Sequence, residues 1–553
     1  MSKSKDFICN SHVSSILFML TGGILFGLHV YYPAFSALSF ISTTFWILLL
    51  LKNKSNYKIM YFLLMIYIMN LIGVIWLKDF NIQSWLIAPI IYSLYYIPLY
   101  WVIIIIHNNW PKLPLMILWP FAFTGIEWFR VHISPGQLPF CLLSDSLIEY
   151  SKLIQIVDIF GTGFLTFIVC MISGFLAEII LIYCSEKKIA RNYFLAQFFI
   201  IIMVYTFSIV YGLFRDSEET FSYGPKIGII QPLFDKWISD KPDTNRLDNL
   251  VKLTKKLLKD KVNLIVWPEN SLTFPYNEKF SKEFSSPTIT RIQHLSIELN
   301  TPILIDGPTW DESGTELLHT TTLINYQDPI QKYDKVFLIP WSEYIPFHST
   351  LSKLSVNAGK NYFYFISKFY QIPVSYKQGL LNNLQEMTLS VDNKKWYFGT
   401  AICFEIGVPE LIQKWNSLIH FAGSTGVDFI INPTNEVLLG NGIHRQTLNA
   451  ARFRAIENRL SIIKASNVGF SAMIDPNGHI RQVLERNVNG DGKLGVPSSL
   501  SVDVIVDSRK LTVYSKIGDI FPILCLVISF STVIFIAISN LAYFKKILNL
   551  ILA

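Results

Sequence analysis

The chain has 553 residues, of which 51% are hydrophobic and only 16% charged, and its mean hydropathy of +0.38 excludes an ordinary soluble enzyme. Its formal net charge of +7 does not point to a nucleic-acid partner, because much of the cationic excess lies in short loops between apolar runs. Of the cysteines, Cys9, Cys141, Cys170, Cys184 and Cys525 lie in or beside very hydrophobic segments, which leaves Cys403 without a disulfide partner and no Cys/His spacing for zinc.

Taken from the N-terminus, apolar stretches near residues 13–29, 34–51, 59–77, 84–106, 113–130, 153–183 and 193–214 each approach or exceed the ~20 residues that cross a bilayer. An eighth, near 520–543, closes the chain. The first is followed by further spans and by no small-residue cleavage site, so it reads as retained rather than as a signal peptide. None of the spans shows a series of buried charges of the kind that marks an ion pathway.

Loop charge orients them. Lys3 and Lys5 precede the first span, Lys52, Lys54 and Lys58 follow the second, and Lys112 follows the fourth. Lys187, Lys188 and Arg191 follow the sixth, and Lys545 and Lys546 follow the eighth. Positive loops stay in the cytoplasm, so all of these mark one face, and the long polar stretch after the seventh span lies outside. The expected organisation is a seven-span domain at 1–214, an extramembrane domain at 215–515 and a C-terminal transmembrane helix at 516–553.

From Lys226 the pattern changes to short β-branched runs separated by polar helical stretches. Residues 226–231, 263–267, 301–306 and 426–431 read as buried strands, and 242–260, 285–299 and 443–459 as helices. The lysines between Lys252 and Lys261 alternate with leucines at helical spacing and read as a solvated helix face. Such alternation predicts layered α/β sheets, where polar residues that follow separate strands converge at one edge.

Three residues follow or end such runs: Glu269 after Val266-Trp267-Pro268, Lys335 within Tyr333-Asp334-Lys335-Val336, and Cys403 at the end of an apolar run read as a strand. Singly, each has an ordinary structural explanation: a turn acid, a surface lysine, a small buried hydrophobe. Together they supply what acyl transfer through a thioester needs. A thiol near its reference pKa of ~8.5 is mostly protonated at neutral pH, so a carboxylate must take its proton while a cation offsets the developing charge. Glu269 suits the base, Lys335 the cation, and the backbone N–H of Phe404 a second donor to the oxyanion. His294, His319 and His444 are read as lying away from these strand ends, and no metal site is expected.

At these residues the chain resembles the nitrilase superfamily, whose Glu–Lys–Cys triad follows this order on an α-β-β-α sandwich. Seven spans before such a domain and one after it resemble the apolipoprotein N-acyltransferase family. The resemblance rests on Trp267-Pro268-Glu269-Asn270, on Tyr333-Asp334-Lys335 leading to Pro340-Trp341-Ser342-Glu343-Tyr344-Ile345-Pro346, and on Ile402-Cys403-Phe404-Glu405. It also rests on Arg452-Phe453-Arg454-Ala455-Ile456-Glu457 and on Thr512 to Asp519 before the last span. It implies catalytic Glu269, Lys335 and Cys403, supporting carboxylates Glu343 and Glu405, and Trp237 at a lipid-facing entrance. Four departures from the family pattern stand out: Phe404 replaces a usual Tyr, Leu438 and Leu439 stand where an aromatic is expected, Leu233 replaces an Asn and Lys516 an Arg.

The implied reaction takes an acyl chain from a membrane phospholipid, phosphatidylethanolamine above all, to the diacylglyceryl-cysteine amine of an apolipoprotein. No cofactor and no nucleic acid take part, and the setting is a bacterial inner membrane with the catalytic domain in the periplasm. A membrane-tethered amidohydrolase using the same triad with water is the alternative, and a non-catalytic transporter or scaffold is a third reading. The topology is directly testable: a reporter fused after residue 190 is expected on the cytoplasmic side and one inserted near residue 314 on the other. Finding both on one side overturns the eight-span arrangement.

Overall fold

The computed structural model describes residues 12–52, 57–133, 138–185, 191–234, 244–276, 285–325, 330–370, 375–418, 426–437, 441–484, 497–508 and 511–552. The chain divides into two compact units, one comprising Met1–Ile75, Ile82–Arg215 and Asp519–Ala553, the other Trp76–Asn81 and Asp216–Gly518.

The first unit is helical, and all eight apolar stretches form helix. Among the described residues, six helices are long and apolar enough to cross a membrane: His12–Val30, Ala34–Lys52, Ile82–Asn109, Thr162–Cys184, Arg191–Arg215 and Ile520–Leu541. Lys58–Gly73 is apolar but shorter, and Leu115–His132 is not among the six. Large apolar side chains such as Phe199, Phe207 and Leu213 stand exposed on Arg191–Arg215, which is the pattern of a helix solvated by lipid rather than water.

One expectation changes here. The stretch 153–183 is not one helix: Ser151–Ile154 and Val157–Phe160 are single turns, and Gly161, at φ +72°, breaks the chain before Thr162–Ser185 begins. Buried charge is present as well, in Glu127 and Arg130 of Leu115–His132. Glu127 accepts from the Leu143 N–H at 2.9 Å and the Thr166 hydroxyl at 2.6 Å, while Arg130 donates to the Phe140 carbonyl at 3.1 Å. These bonds satisfy backbone that leaves the helical pattern around residues 138–147, as apolar surroundings require.

The second unit is an α-β-β-α sandwich. Its strands are β1 (Phe221–Gln231), β2 (Leu264–Val266), β3 (Ile303–Trp310), β4 (Leu317–Ile324), β5 (Gln331–Asp334), β6 (Met387–Val391), β7 (Lys394–Thr400), β8 (Phe429–Thr434), β9 (Ser461–Ser466), β10 (Ser471–Ile474), β11 (Ile480–Leu484) and β12 (Ser498–Asp507). One sheet runs β12-β1-β2-β3-β4-β5 and the other β11-β10-β9-β8-β7-β6. Each has three parallel strands at its centre, β1-β2-β3 and β7-β8-β9, flanked by antiparallel neighbours.

The apolar runs are continuous because both faces of these strands are covered. Ile227, Ile229, Leu264, Val266 and Leu304 point into the core shared with Phe429, Ile431, Ile462 and Phe398 of the second sheet. Their neighbours Ile230, Ile265, Trp267, Ile303 and Ile305 point outward to Leu247, Leu250 and Leu253 of helix Thr244–Lys256 and to Ile289, Ile292 and Leu295 of helix Ser285–Leu299. Helices Pro409–Asn416 and Asn441–Asn458 supply Trp415, Leu448 and Ala451 to the other sheet. From the stretch Trp76–Asn81, Trp76 donates its indole N–H to Gln446 at 3.3 Å.

Gly307 shows how tightly the layers fix the site. A Cβ there would lie 2.5 Å from the backbone carbonyl oxygen of Leu272, in the loop that carries Glu269. At Gly228 a Cβ would also come within 2.5 Å, but of the Leu257 Cδ1 methyl, which can rotate away. Gly307→Ala is therefore expected to destabilise the full chain by about 1–3 kcal/mol and to lower activity, with Gly228→Ala milder on both counts. Thermal unfolding and turnover of the two solubilised variants check this, and equal effects would contradict it.

Candidate active site

Strand β2 ends at Val266, and the turn that follows is fastened to β3. The Asn270 N–H donates to Asp306 Oδ1 at 2.8 Å, the Leu272 N–H to the Asp306 carbonyl at 2.9 Å, and Ser271 Oγ bonds both the Asp306 N–H and its carbonyl. Asn270 takes a left-handed φ of +54°, which asparagine tolerates better than most residues. This turn directs Glu269 inward, where it is 1% exposed. Its Oε2 accepts from the Asn435 N–H at 2.6 Å, and its Oε1 accepts no hydrogen bond from any described residue.

Lys335 is the residue after β5. Its N–H extends the ladder to the His319 carbonyl at 2.8 Å, and its side chain is wholly buried. Nζ lies 2.6 Å from Glu343 Oε1 and 3.6 Å from Glu269 Oε1, while Glu343 Oε2 accepts from the Ile339 N–H at 2.8 Å.

Cys403 does not end a strand. Strand β7 stops at Thr400, and Cys403 opens a tight turn of 3-10 helix, Cys403–Gly407, at φ +52°. A non-glycine residue there is strained and persists only where its surroundings hold it. Glu405 does so: its carboxylate accepts from the N–H groups of Ile402, Val336 and Phe337 at 2.7–2.8 Å and from the Tyr333 hydroxyl at 2.8 Å. The nucleophile turn is thereby stapled to the chain just beyond Lys335. Asn432 Nδ2 adds bonds to the carbonyls of Ala401 and Cys403. Phe404 is buried beside the thiol. Trp237 and Leu438 and Leu439 lie outside the described residues.

His319 is not remote from these strand ends. Its Nε2 donates to Asp306 Oδ1 at 2.8 Å and lies 4.0 Å from Glu269 Oε1, while Nδ1 is 3.7 Å from Glu343 Oε1. It escapes a sequence reading because it is on β4, a strand whose Leu-Leu-His-Thr-Thr-Thr pattern lacks the apolar signal. Glu436 and Lys464 were also missed, paired at 2.9 Å and both buried. The signal for Lys464 was available: a charge in the middle of the apolar run Ser461–Ser466.

Burial dominates the electrostatics. It pushes the Glu269 carboxyl up, against the pull of Lys335 and His319. It works against the Lys335 charge, but Glu343 and Glu269 outweigh it and hold the ammonium above its ordinary pKa. Burial likewise opposes Glu343 ionisation, and Lys335 and His319 overcome it, taking Glu343 down to about 2. For Glu405 burial wins, raising it to about 7 despite Lys335 and the N–H donors. The Cys403 thiol is pushed well up, first by burial and then by the Glu269 charge, with Lys335 opposing. The resting thiol is therefore protonated and needs a base.

Glu269, His319 and Glu343 are close enough together to suggest a metal site. The arrangement fits an ion-pair cluster better: Lys335 already supplies the central positive charge, and His319, raised to about 10 because Asp306 and Glu343 outweigh its burial, has no lone pair to offer.

That protonated state has a pH signature. Stability contributed by His319 is fully present below its unfolded pKa of 6.5 and lost as pH rises through the folded value of about 10. The stability difference between the wild-type chain and His319→Gln is expected to be largest below pH 6.5 and to narrow between there and pH 10. Thermal unfolding across that window measures it, and a pH-independent difference would show a neutral His319.

Comparison with known proteins agrees with this architecture. The carbon-nitrogen hydrolase family model matches residues 226–489, and that of the apolipoprotein N-acyltransferase N-terminal domain matches residues 22–175. Apolipoprotein N-acyltransferase 1 of Treponema denticola is 25% identical over 95% of this chain and 97% of its own. The apolipoprotein N-acyltransferase of Borreliella burgdorferi is 24% identical over 91% of this chain and 88% of its own, and that of Geobacter metallireducens 26% identical over 74% and 72%. Among solved structures, Saccharomyces cerevisiae Nit3, a member of branch 10 of the nitrilase superfamily, is 17% identical with a TM-score of 0.35, covering 55% of this chain and 97% of its own. With an N-terminal helical domain and a carbon-nitrogen hydrolase domain matched in order, and relatives of one name aligned along most of its length, the chain belongs to the apolipoprotein N-acyltransferase family.

Proposed function

We propose that this chain moves an acyl group from a membrane phospholipid to the α-amine of a diacylglyceryl-cysteine at an apolipoprotein N-terminus, through a thioester on Cys403. The observation that carries the mechanism is a buried thiol on a strained turn, on which the charges of Glu269 and Lys335 act in opposite senses. The full-length relatives named as apolipoprotein N-acyltransferases support the choice of substrates.

Glu269 Oε1, which accepts no hydrogen bond among the described residues, takes the thiol proton. The thiolate attacks the ester carbonyl, most simply the sn-1 ester of phosphatidylethanolamine, while Lys335 Nζ and the Phe404 N–H stabilise the oxyanion. The C–O bond breaks, the glycerol oxygen receives the proton held on Glu269, and lysophospholipid departs. The acceptor amine then attacks the thioester carbonyl and gives a proton to Glu269. The C–S bond breaks and the sulfur recovers that proton, leaving an amide and the original thiol. Glu343 holds Lys335 in place and Glu405 holds the nucleophile turn. The bilayer is the bacterial inner membrane, and the catalytic domain is on its periplasmic side. Apolar helices before and after the catalytic domain suit two lipid substrates.

Two variants test the roles. With phospholipid and no acceptor, the wild-type chain is expected to accumulate an acyl adduct that neutral hydroxylamine releases, and Cys403→Ala none, by intact-protein mass spectrometry. Glu269→Gln keeps shape and burial but is expected to lose at least about 100-fold in acylation rate. An adduct on Cys403→Ala, or near-normal turnover by Glu269→Gln, overturns the mechanism. Free fatty acid in place of N-acylated lipopeptide would instead mark a hydrolase in which water accepts the acyl group, and cleavage of a simple amide would mark the amidohydrolase.

A further inference from the structure

A second buried carboxylate adjoins the site and has no part in the steps above. Glu436 directly follows Asn435, whose N–H holds Glu269, and is 1% exposed. Its Oε1 is filled by Lys464 Nζ at 2.9 Å and the Thr447 hydroxyl at 2.6 Å. Its Oε2 accepts no hydrogen bond from any described residue, and His444 Nε2 is 3.9 Å away. Buried carboxylate oxygens left in this state are uncommon and ask for a donor.

Gln231 Oε1 is a further buried acceptor in the same condition, on a side chain whose Nε2 donates to the Gly469 carbonyl at 3.3 Å. Gly469 links the two. Its φ is +119°, and a Cβ there would fall 2.4 Å from Glu436 Oε2, so bare backbone runs against the carboxylate. Two residues before it, Asn467 Nδ2 donates to Asn435 Oδ1 at 2.9 Å, which closes the ring back to the residue that holds Glu269. Glu436 also bears electrostatically on the Cys403 thiol.

Glu436 Oε2 and Gln231 Oε1 are thus two acceptors without a donor among the described residues, and Glu269, to which the resting Cys403 thiol is hydrogen-bonded, becomes a third once that thiol carries the acyl group; two of the three are carboxylates. An ester or phosphate oxygen would be repelled by such a set. A primary ammonium, with one positive charge and three N–H donors, matches it. Taking the acyl-transfer reading as given, we propose that Glu436 and Gln231, together with Glu269, form the subsite that binds the α-ammonium of the acceptor, takes one proton from it onto Glu436 Oε2 and presents the resulting free amine to the thioester. Phosphatidylethanolamine also carries a primary ammonium, but its headgroup is separated from the reacting carbonyl by glycerol and phosphate. The acceptor nitrogen must reach bonding distance of that carbon.

The test uses the full-length solubilised chain with a diacylated lipopeptide as acceptor and phosphatidylethanolamine or phosphatidylglycerol as donor. Glu436→Gln is expected to raise the acceptor KM about tenfold or more, as expected for loss of a charged hydrogen bond. The donor KM and the preference between headgroups should move less than about threefold. Because Glu436→Gln leaves Lys464 buried without its charge partner, Gln231→Met is the second variant. It breaks no ion pair and is expected to raise the acceptor KM by about threefold or more, with kcat little changed. An unchanged acceptor KM in Gln231→Met and in any folded Glu436→Gln overturns the proposal. So does loss of headgroup preference with the acceptor KM intact, which would assign the ammonium to the donor. A wild-type chain that yields no N-acylated lipopeptide removes the acyl-transfer reading and the subsite with it, a failure distinct from the other two.

Discussion

A lysine ammonium held entirely out of water, that of Lys335, sets the terms for much of the catalytic domain. Removing such a charge from water costs several kcal/mol, and the cost is offset only by close partners with their own hydrogen bonds satisfied. Glu343 and Glu269 supply the opposite charge at 2.6 and 3.6 Å. Each carboxylate is then held by backbone from a different part of the chain, Glu343 by Ile339 and Glu269 by Asn435. His319 adds a second cation, itself anchored by Asp306, the residue to which the Glu269 turn is fastened. Removing any one member leaves buried charge uncompensated, so the cluster fixes the segments that follow β2, β5 and β8 against β3 and β4.

The same constraint explains the chemistry. In a dry site a thiol resists ionisation, and its proton transfer must be completed by groups already in place rather than by solvent. Glu269 combines one oxygen anchored by backbone with another that accepts no hydrogen bond among the described residues, the state required of a base before substrate arrives. Cys403 is presented by a turn with left-handed backbone, and Glu405 ties that turn to the segment following Lys335. Nucleophile and cation are therefore coupled through one buried carboxylate, although they belong to different sheets.

The helical unit obeys a different solvent. Its surface carries exposed phenylalanines and leucines, and several of its buried polar groups serve its own backbone, as Glu127 does for Leu143. A polypeptide that joins such a unit to a water-excluding thiol site suits an acyl group that is itself insoluble in water.

Local sequence patterns were enough for much of this. Continuous β-branched runs announced β1, β2, β3 and β8, because strands covered on both faces need no polar alternation, and helical spacing of leucine and isoleucine announced the helices that cover them. A polar residue at the end of one such run pointed to Glu269, whereas Lys335 follows β5, a short polar strand. Strands with mixed character, such as β4 with its three threonines and His319, carried no comparable signal. What only the tertiary structure decided was the partnership of distant side chains. His319 joins Glu269 and Glu343, Lys464 joins Glu436, and Cys403 sits on a turn instead of a strand. Hydrophobic periodicity records which face of an element is buried. The pairing of buried charges depends on where separate elements end in space, which no local pattern encodes.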